Sequence, residues 1–261
     1  MGEISWKKHH HYLTLVSDRV TGKIVWGEAG KDTAMLNAFF GELPEGAAEA
    51  LEAVSMDLGP AFAESVRTHA PRATICFDPF PVVTLVTDAL DAVRRQVWQS
   101  ARKLRDQGIV KRFEGARWAL LKNPIDLTED QSGTLREIKR SGGALWRAYQ
   151  LKEALRAVFA GDLDPTDTNV MLDRWCSKAQ RSRIPEFVKA AATIRKHRDG
   201  INAAIDRGLS NGRQEGLNNK VRLIIRRAYG FHSAQAALAT VMLVCGPVNL
   251  QLPYHTPATH M

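Results

Sequence analysis

The chain has 261 residues and a formal net charge of +8. That length can bury a sizeable core as one large domain or two smaller ones, and the basic balance favours a polyanionic partner, nucleic acid first. The three cysteines, Cys76, Cys176 and Cys245, are far apart with no CxxC pair, which argues against a zinc knuckle or a disulfide framework and suits a reducing cytoplasm. Residues 1–11 are polar and basic, so no signal peptide is expected. The longest apolar run, around Ala236–Cys245, is too short for a membrane span of roughly 20 residues.

Tyr12–Val16 (YLTLV) reads as a strand, Asp18–Gly22 (DRVTG) as a turn, and Lys23–Trp26 (KIVW) as the returning strand of a hairpin. Ile4–Trp6 is read as a backward extension of the first strand. Lys31–Leu43 has helical spacing at Met35, Leu36, Phe39 and Phe40. Ala53–Met56 (AVSM) is a short buried strand ending at Asp57. Pro60–His69 is a helix with proline in its first turn. Thr74–Phe77 (TICF) is a strand ending at Asp78. Hairpin, helix, strand, helix, strand is a mixed α/β pattern.

After Pro81 the strand signals stop. Val82–Arg105, Leu145–Phe159, Asn169–Ala179 and Pro185–Arg207 read as helices, with loops at Pro124, Gly142–Gly143 and Asp164–Pro165. Trp98, Trp118, Trp146 and Trp175 fall here and are expected in the helical core rather than as stacking platforms. The basic stretches at 94–105 and 195–198 read as solvated faces, with phosphate contact the alternative.

Ser210–Phe231 (SNGRQEGLNNKVRLIIRRAYGF) is the most informative stretch. Ser210 and Asn211 can cap a helix start. Leu217, Val221, Ile224, Ile225 and Ala228 then fall on one face, and Glu215, Asn218, Asn219, Arg222 and Arg226 on the other. An apolar back would hold this helix to a core while one carboxylate is presented among amides and guanidiniums. That suits a metal-binding acid beside a polyanion, against the plainer reading of a charged solvated face. An apolar helix, Ser233–Cys245, follows, and 247–261 reads as a loose tail.

Asp57 and Asp78 each end a strand, where α/β sheets display catalytic groups, although each could instead start a turn or cap a helix. With Glu215 they make a set of hard oxygen donors of the kind Mg²⁺ prefers. His9, His10 and His11 are not read as a metal site, because adjacent side chains of a strand diverge.

Several stretches together resemble the catalytic region of bacterial insertion-sequence transposases of the ISL-three family. They are EISWKKHHHYLTLVSDRVTGKIVW (3–26), AVSMDLGPAF (53–62), ICFDPFPVV (75–83), GARWALLKNP (115–124), RAYQLKEALR (147–156) and LSNGRQEGLNNKVRLIIRRAYGFHS (209–233). The resemblance implies an α/β, RNase H-like mixed sheet carrying an aspartate–aspartate–glutamate triad. It makes Asp57 the second acid and Glu215 the third, with a large all-helical insertion before the last catalytic helix. It also implies Mg²⁺ or Mn²⁺ as cofactor and DNA (transposon ends and target) as partner; a homo-oligomer is an option that the sequence leaves open. Asp78 and Asn219 would be accessory, and Arg222, Arg226 and Arg227 would hold phosphates. The expected organisation is 1–81 and 207–246 as the two parts of the catalytic fold, 82–206 as the insertion and 247–261 as the tail.

Three departures bear on activity. The family places its first acid immediately before the glutamate of the opening motif, and here that place is Gly2. Glu3 is adjacent, but strand alternation points it to the opposite face. The family continues its second strand-end aspartate as Asp-Pro-Phe-His, where this chain has Pro81. The family's N-terminal zinc-binding region and helix-turn-helix have no counterpart, so the expectation is an N-terminally truncated member. Two functions follow: a metal-dependent DNA cleavage and strand-transfer domain, inactive as written, or a non-catalytic remnant that binds DNA or a partner copy.

Overall fold

The computed structural model describes residues 1–7, 11–58, 60–105, 107–108, 115–161, 163–208 and 212–248. The chain divides into two units, Met1–Ile75 with Asn211–Met261, and Cys76–Ser210.

In the first unit, β1 (Gly2–Lys7), β2 (His11–Ser17) and β3 (Ile24–Ala29) form an antiparallel sheet in that order. β1 is thus a strand of its own, paired Gly2 to Leu15 and Ile4 to Leu13, and not an extension of β2. The 18–22 turn is built on Asp18, whose carboxylate accepts from the Val20 N–H at 2.9 Å and the Thr21 hydroxyl. β2 is central and buried on both faces from Leu13 to Val16, which explains its nearly unbroken apolar run. The buried Thr14 hydroxyl is satisfied by Gly30 O at 2.8 Å.

α1 (Thr33–Glu42), capped by Asp32, packs Phe39 on Trp26, with ring centroids 5.7 Å apart. β4 (Ala53–Met56), α2 (Pro60–His69) and β5 (Thr74–Phe77) follow. β4 and β5 form a second, two-stranded sheet. The Met1 ammonium donates to Ser55 O at 2.8 Å, setting the start of β1 beside β4.

Two late helices return to this unit, α10 (Gly212–Arg227) and α11 (Ala234–Cys245). Val221 of α10 and Ala237, Val241 and Cys245 of α11 join Ile4, Leu13, Leu15 and Ile24 in one buried cluster. Gly27 permits this approach: a Cβ there would lie 2.6 Å from a Leu238 methyl and 2.7 Å from one of Leu15. Ser233 caps α11 through the Ala236 N–H. The expected caps of α10, Ser210 and Asn211, lie outside the described residues.

Among its described residues the second unit is helical beyond the end of β5. α3 (Pro79–Lys103) begins three residues before the apolar spacing does, because Asp78 caps it and Pro79 fits its first turn. α4 (Ala116–Leu121), a 3-10 turn at Pro124–Asp126, α5 (Glu129–Ser141) and α6 (Gly143–Val158) follow. α5 is a helix that sequence spacing did not reveal. It buries only Ile138 and owes its start to a Thr128–Gln131 capping box.

α7 (Pro165–Arg181) starts at its Asp164 cap, and α8 (Pro185–Lys196) and α9 (Arg198–Asp206) replace the single helix read over 185–207. The break is at His197, whose ring meets Phe77 edge-on at 5.0 Å. The next residue, Arg198, turns back to Asp173 at 2.8 Å. Phe187, Leu172, Ile194 and Trp175 lie in the core, and the Trp175 indole donates to Leu151 O. Trp118 departs from its expected burial and is 54 % exposed, and Trp98 and Trp146 are only half-buried.

Candidate functional site

β1 alternates cleanly: Gly2 and Ile4 are buried, Glu3 and Ser5 exposed. Ile4 packs in the cluster that receives Val221, so α10 covers the face of β1 on which Gly2 lies. The register of α10 follows from its apolar back, with Leu217, Ile224 and Ile225 also against this cluster. Glu215, Asn219, Arg222, Arg226 and Arg227 are left exposed. Arg222 donates to the Asn219 amide oxygen at 3.0 Å, and Lys220 reaches Val244 O.

Asp57 follows the last residue of β4 and keeps an exposed surface. Protein atoms nonetheless crowd its carboxyl. Loss of water around it raises its pKa above the ordinary 3.8, and the Met1 ammonium works against that rise. Glu3 is raised for the same first reason; the nearby Lys31 ammonium lowers it and the Asp57 carboxylate raises it. Glu3 therefore lies within the field of the Asp57 carboxylate, a neighbourhood that alternation within β1 alone could not reveal. Lys31 lies over the Tyr12 ring at 4.6 Å. Asp78 is buried, and its carboxylate accepts from the Phe80 N–H at 3.0 Å, the geometry of a helix cap.

As donors, Asp57, Glu3 and Glu215 are hard oxygens, the chemistry Mg²⁺ takes, and Mg²⁺ is commonly held by one or two carboxylates with water and substrate phosphate filling the rest. No group of three or more His, Cys, Asp or Glu able to hold a metal forms among the described residues. His9 and His10 lie outside the described residues. His11 opens β2 with its ring 5.8 Å from that of Trp6. No described helix is long and apolar enough to cross a membrane.

The first unit thus carries a strand-end aspartate, Asp57, and a glutamate-bearing helix packed on its antiparallel sheet, with the helical unit between the two in sequence. The transposase family profile of the ISL3 type with a DDE site matches residues 1–241, and the chain belongs to that family. It is similar to the transposase for insertion sequence element IS1557 of Mycobacterium tuberculosis, 43% identical over 270 residues, which covers 96% of this chain and 60% of the relative. It is also similar to the transposase for insertion sequence element IS1001 of Bordetella parapertussis, 29% identical over 236 residues, covering 90% of this chain and 57% of the relative. The chain thus spans about 60% of the length of the curated relatives it matches. No solved structure matches it.

Proposed function

We propose that this chain is the catalytic region of a DDE-type DNA transposase with an RNase H-like sheet, and that it does not cleave DNA with glycine at position 2. The observation that carries this reading is the packing of α10 on β1. The helix that bears Glu215 covers the same strand face on which Gly2 lies. An aspartate at position 2 would project toward that helix, whereas Glu3 projects away. The Met1 ammonium, which donates to Ser55 O at 2.8 Å, brings the start of β1 beside β4, although the two strands belong to separate sheets.

In this reading Asp57 and Glu215 would hold Mg²⁺ or Mn²⁺, and Asp78 and Asn219 are accessory groups. When bound, the ion polarises a phosphodiester and lowers the pKa of an attacking water. The chain's own side chains do the rest. Arg222, Arg226 and Arg227 would bind phosphates of transposon-end and target DNA, giving affinity that falls steeply with salt and carries little sequence preference. Water would attack a phosphodiester at the transposon end and break its P–O3′ bond, leaving a 3′-hydroxyl and a 5′-phosphate; that hydroxyl would then attack a target phosphodiester and expel the target's own 3′-hydroxyl.

With Gly2 in place, Asp57 and Glu215 supply two carboxylates, against the three of the family's aspartate–aspartate–glutamate triad. A misplacement of about 1 Å can cost roughly 100-fold in rate. The test is nicking of transposon-end DNA with Mg²⁺ or Mn²⁺. The unmodified chain is expected to be silent, and Gly2→Asp to gain cleavage of at least about 100-fold that Glu215→Gln removes. Cleavage by the unmodified chain, lost in Glu215→Gln, would overturn the inactive reading. The second reading, a non-catalytic DNA-binding remnant, is favoured by Gly2 itself and would stand if Gly2→Asp binds DNA but stays silent.

A further inference from the structure

α10 ends in a conformation that costs the fold energy. The Ala228 and Tyr229 N–H groups close the helix on Ile224 O and Arg226 O, at 3.1 and 3.2 Å. Tyr229 then adopts φ 53°, the left-handed region that Gly or Asn occupies with least strain. Gly230 follows at φ 105°, so the reversal toward α11 already contains a glycine. Phe231, two residues on, packs on the apolar cluster beneath the sheet. Tyr229 does not pack at all: it is 100 % exposed. An aromatic ring in a strained backbone is ordinarily compensated by burial. Here no burial compensates, and strain of this kind persists where it serves a function.

The surroundings indicate the partner. Arg226 and Arg227 are exposed immediately before it, and no acid follows Glu215 in the rest of α10 or up to Phe231. A flat ring beside two guanidiniums combines a stacking surface with phosphate contacts. In paired duplex both faces of a base are already covered by its neighbours, so such a ring gains only where a base face is open. Along α10, Tyr229 lies roughly 20 Å from Glu215, well beyond reach of the same phosphate.

We propose that Tyr229 is a stacking platform for an unpaired base of DNA, with Arg226 and Arg227 holding the flanking phosphates. The proposal rests on the DNA-binding reading above. It is tested with the whole chain by fluorescence anisotropy on two labelled duplexes, one fully paired and one with a single-stranded overhang. The chain is expected to prefer the overhang. Tyr229→Asn should weaken binding to the overhang about tenfold and leave the paired duplex nearly unchanged, and Tyr229→Phe should keep the preference. Because Asn tolerates the left-handed region, the Asn variant should also melt about 2–4 °C higher.

An Asn variant that binds both DNAs like the unmodified chain overturns the proposal. So does one that melts lower, which would make the ring part of the fold, or one altered in self-association by sedimentation and not in DNA binding, which would make it a protein contact. Salt-dependent binding to paired DNA with no effect of Tyr229→Asn removes this inference alone. Binding to neither DNA removes the DNA-binding reading and this inference with it.

Discussion

In the helical unit, Asp91 holds Arg94 at 2.8 Å and Arg95 at 3.2 Å, Glu153 holds Lys152 and Arg156, and Asp173 holds Arg198 at 2.8 Å. In the mixed unit, Arg67 pairs with Glu64 at 3.6 Å on an exposed helix face. Asp57 and Glu3 are instead crowded by protein, and burial raises both pKa values against the pull of the Met1 ammonium on Asp57 and of Lys31 on Glu3. The helical unit pairs its acids with cations, mostly along one helix and once between two at Asp173 and Arg198, and the mixed unit keeps two acids crowded by protein. Acids fastened in ion pairs are poor metal ligands, because a ligand must first displace the partner. Acids whose ionised form is disfavoured by loss of water are relieved by a cation.

The largest expected effect tests how much the helical unit owes to packing. Phe187 is fully buried on α8, and Phe187→Ala should cost about 3–5 kcal/mol, read by urea denaturation. A loss under about 1 kcal/mol would mean that the site collapses without a cavity.

Next comes the fastening itself. Lys152 is buried, donates to Lys122 O at 3.2 Å, lies over the Tyr149 ring at 5.3 Å and pairs with Glu153. Glu153→Ala strands that ammonium and should cost about 3 kcal/mol, whereas Lys152→Met combined with Glu153→Leu should recover most of the loss. Equal damage from the single and double variants would argue that the pair matters through shape and not charge. Tyr149, raised to about 12 by burial first and by the Glu153 carboxylate second, should titrate at lower pH in Glu153→Ala, as followed by tyrosinate absorbance.

The smallest effect reports on the crowded acids. The folded-state pKa of Asp57 lies above its ordinary 3.8, so the folded chain keeps that proton to higher pH than the unfolded chain. The stability this brings is complete below pH 3.8 and is lost as pH rises through the folded-state value. Above both, the ionised carboxylate works against the fold. Asp57→Asn should therefore melt slightly higher than the unmodified chain near about pH 7 and show no advantage near about pH 3. A lower melting point at neutral pH would mean that the carboxylate is stabilised in its ionised form, and the contrast between the units would fail.

Local chemistry made most elements legible in advance. β4, β5 and α2 fall where strand spacing and Pro60 place them. α10 presents most of the face its apolar spacing predicts, since Val221 is in the core and Glu215 and Arg222 are outside, but Ala228, expected on the apolar side, is exposed where the helix ends. α5 was not legible, because a helix that buries one side chain has almost no apolar period to read. The break at His197 was not legible either: the helical spacing runs through it, and only the pull of Asp173 on Arg198 and the meeting of His197 with Phe77 stop the helix there.

The same division holds at the candidate site. The sequence by itself determined which residues carry oxygen donors and guanidiniums, the family to which those motifs belong, and the glycine where an acid is expected. Only the tertiary structure decided that Glu3 shares the field of Asp57, that α10 covers the Gly2 face of β1, that Asp78 serves as a helix cap, and that Tyr229 stands strained and fully exposed. The reason is physical. Side-chain type and local period are carried by neighbours along the chain, whereas burial, charge coupling and strain depend on residues brought together from more than 50 positions away, as Met1 and Ser55 are.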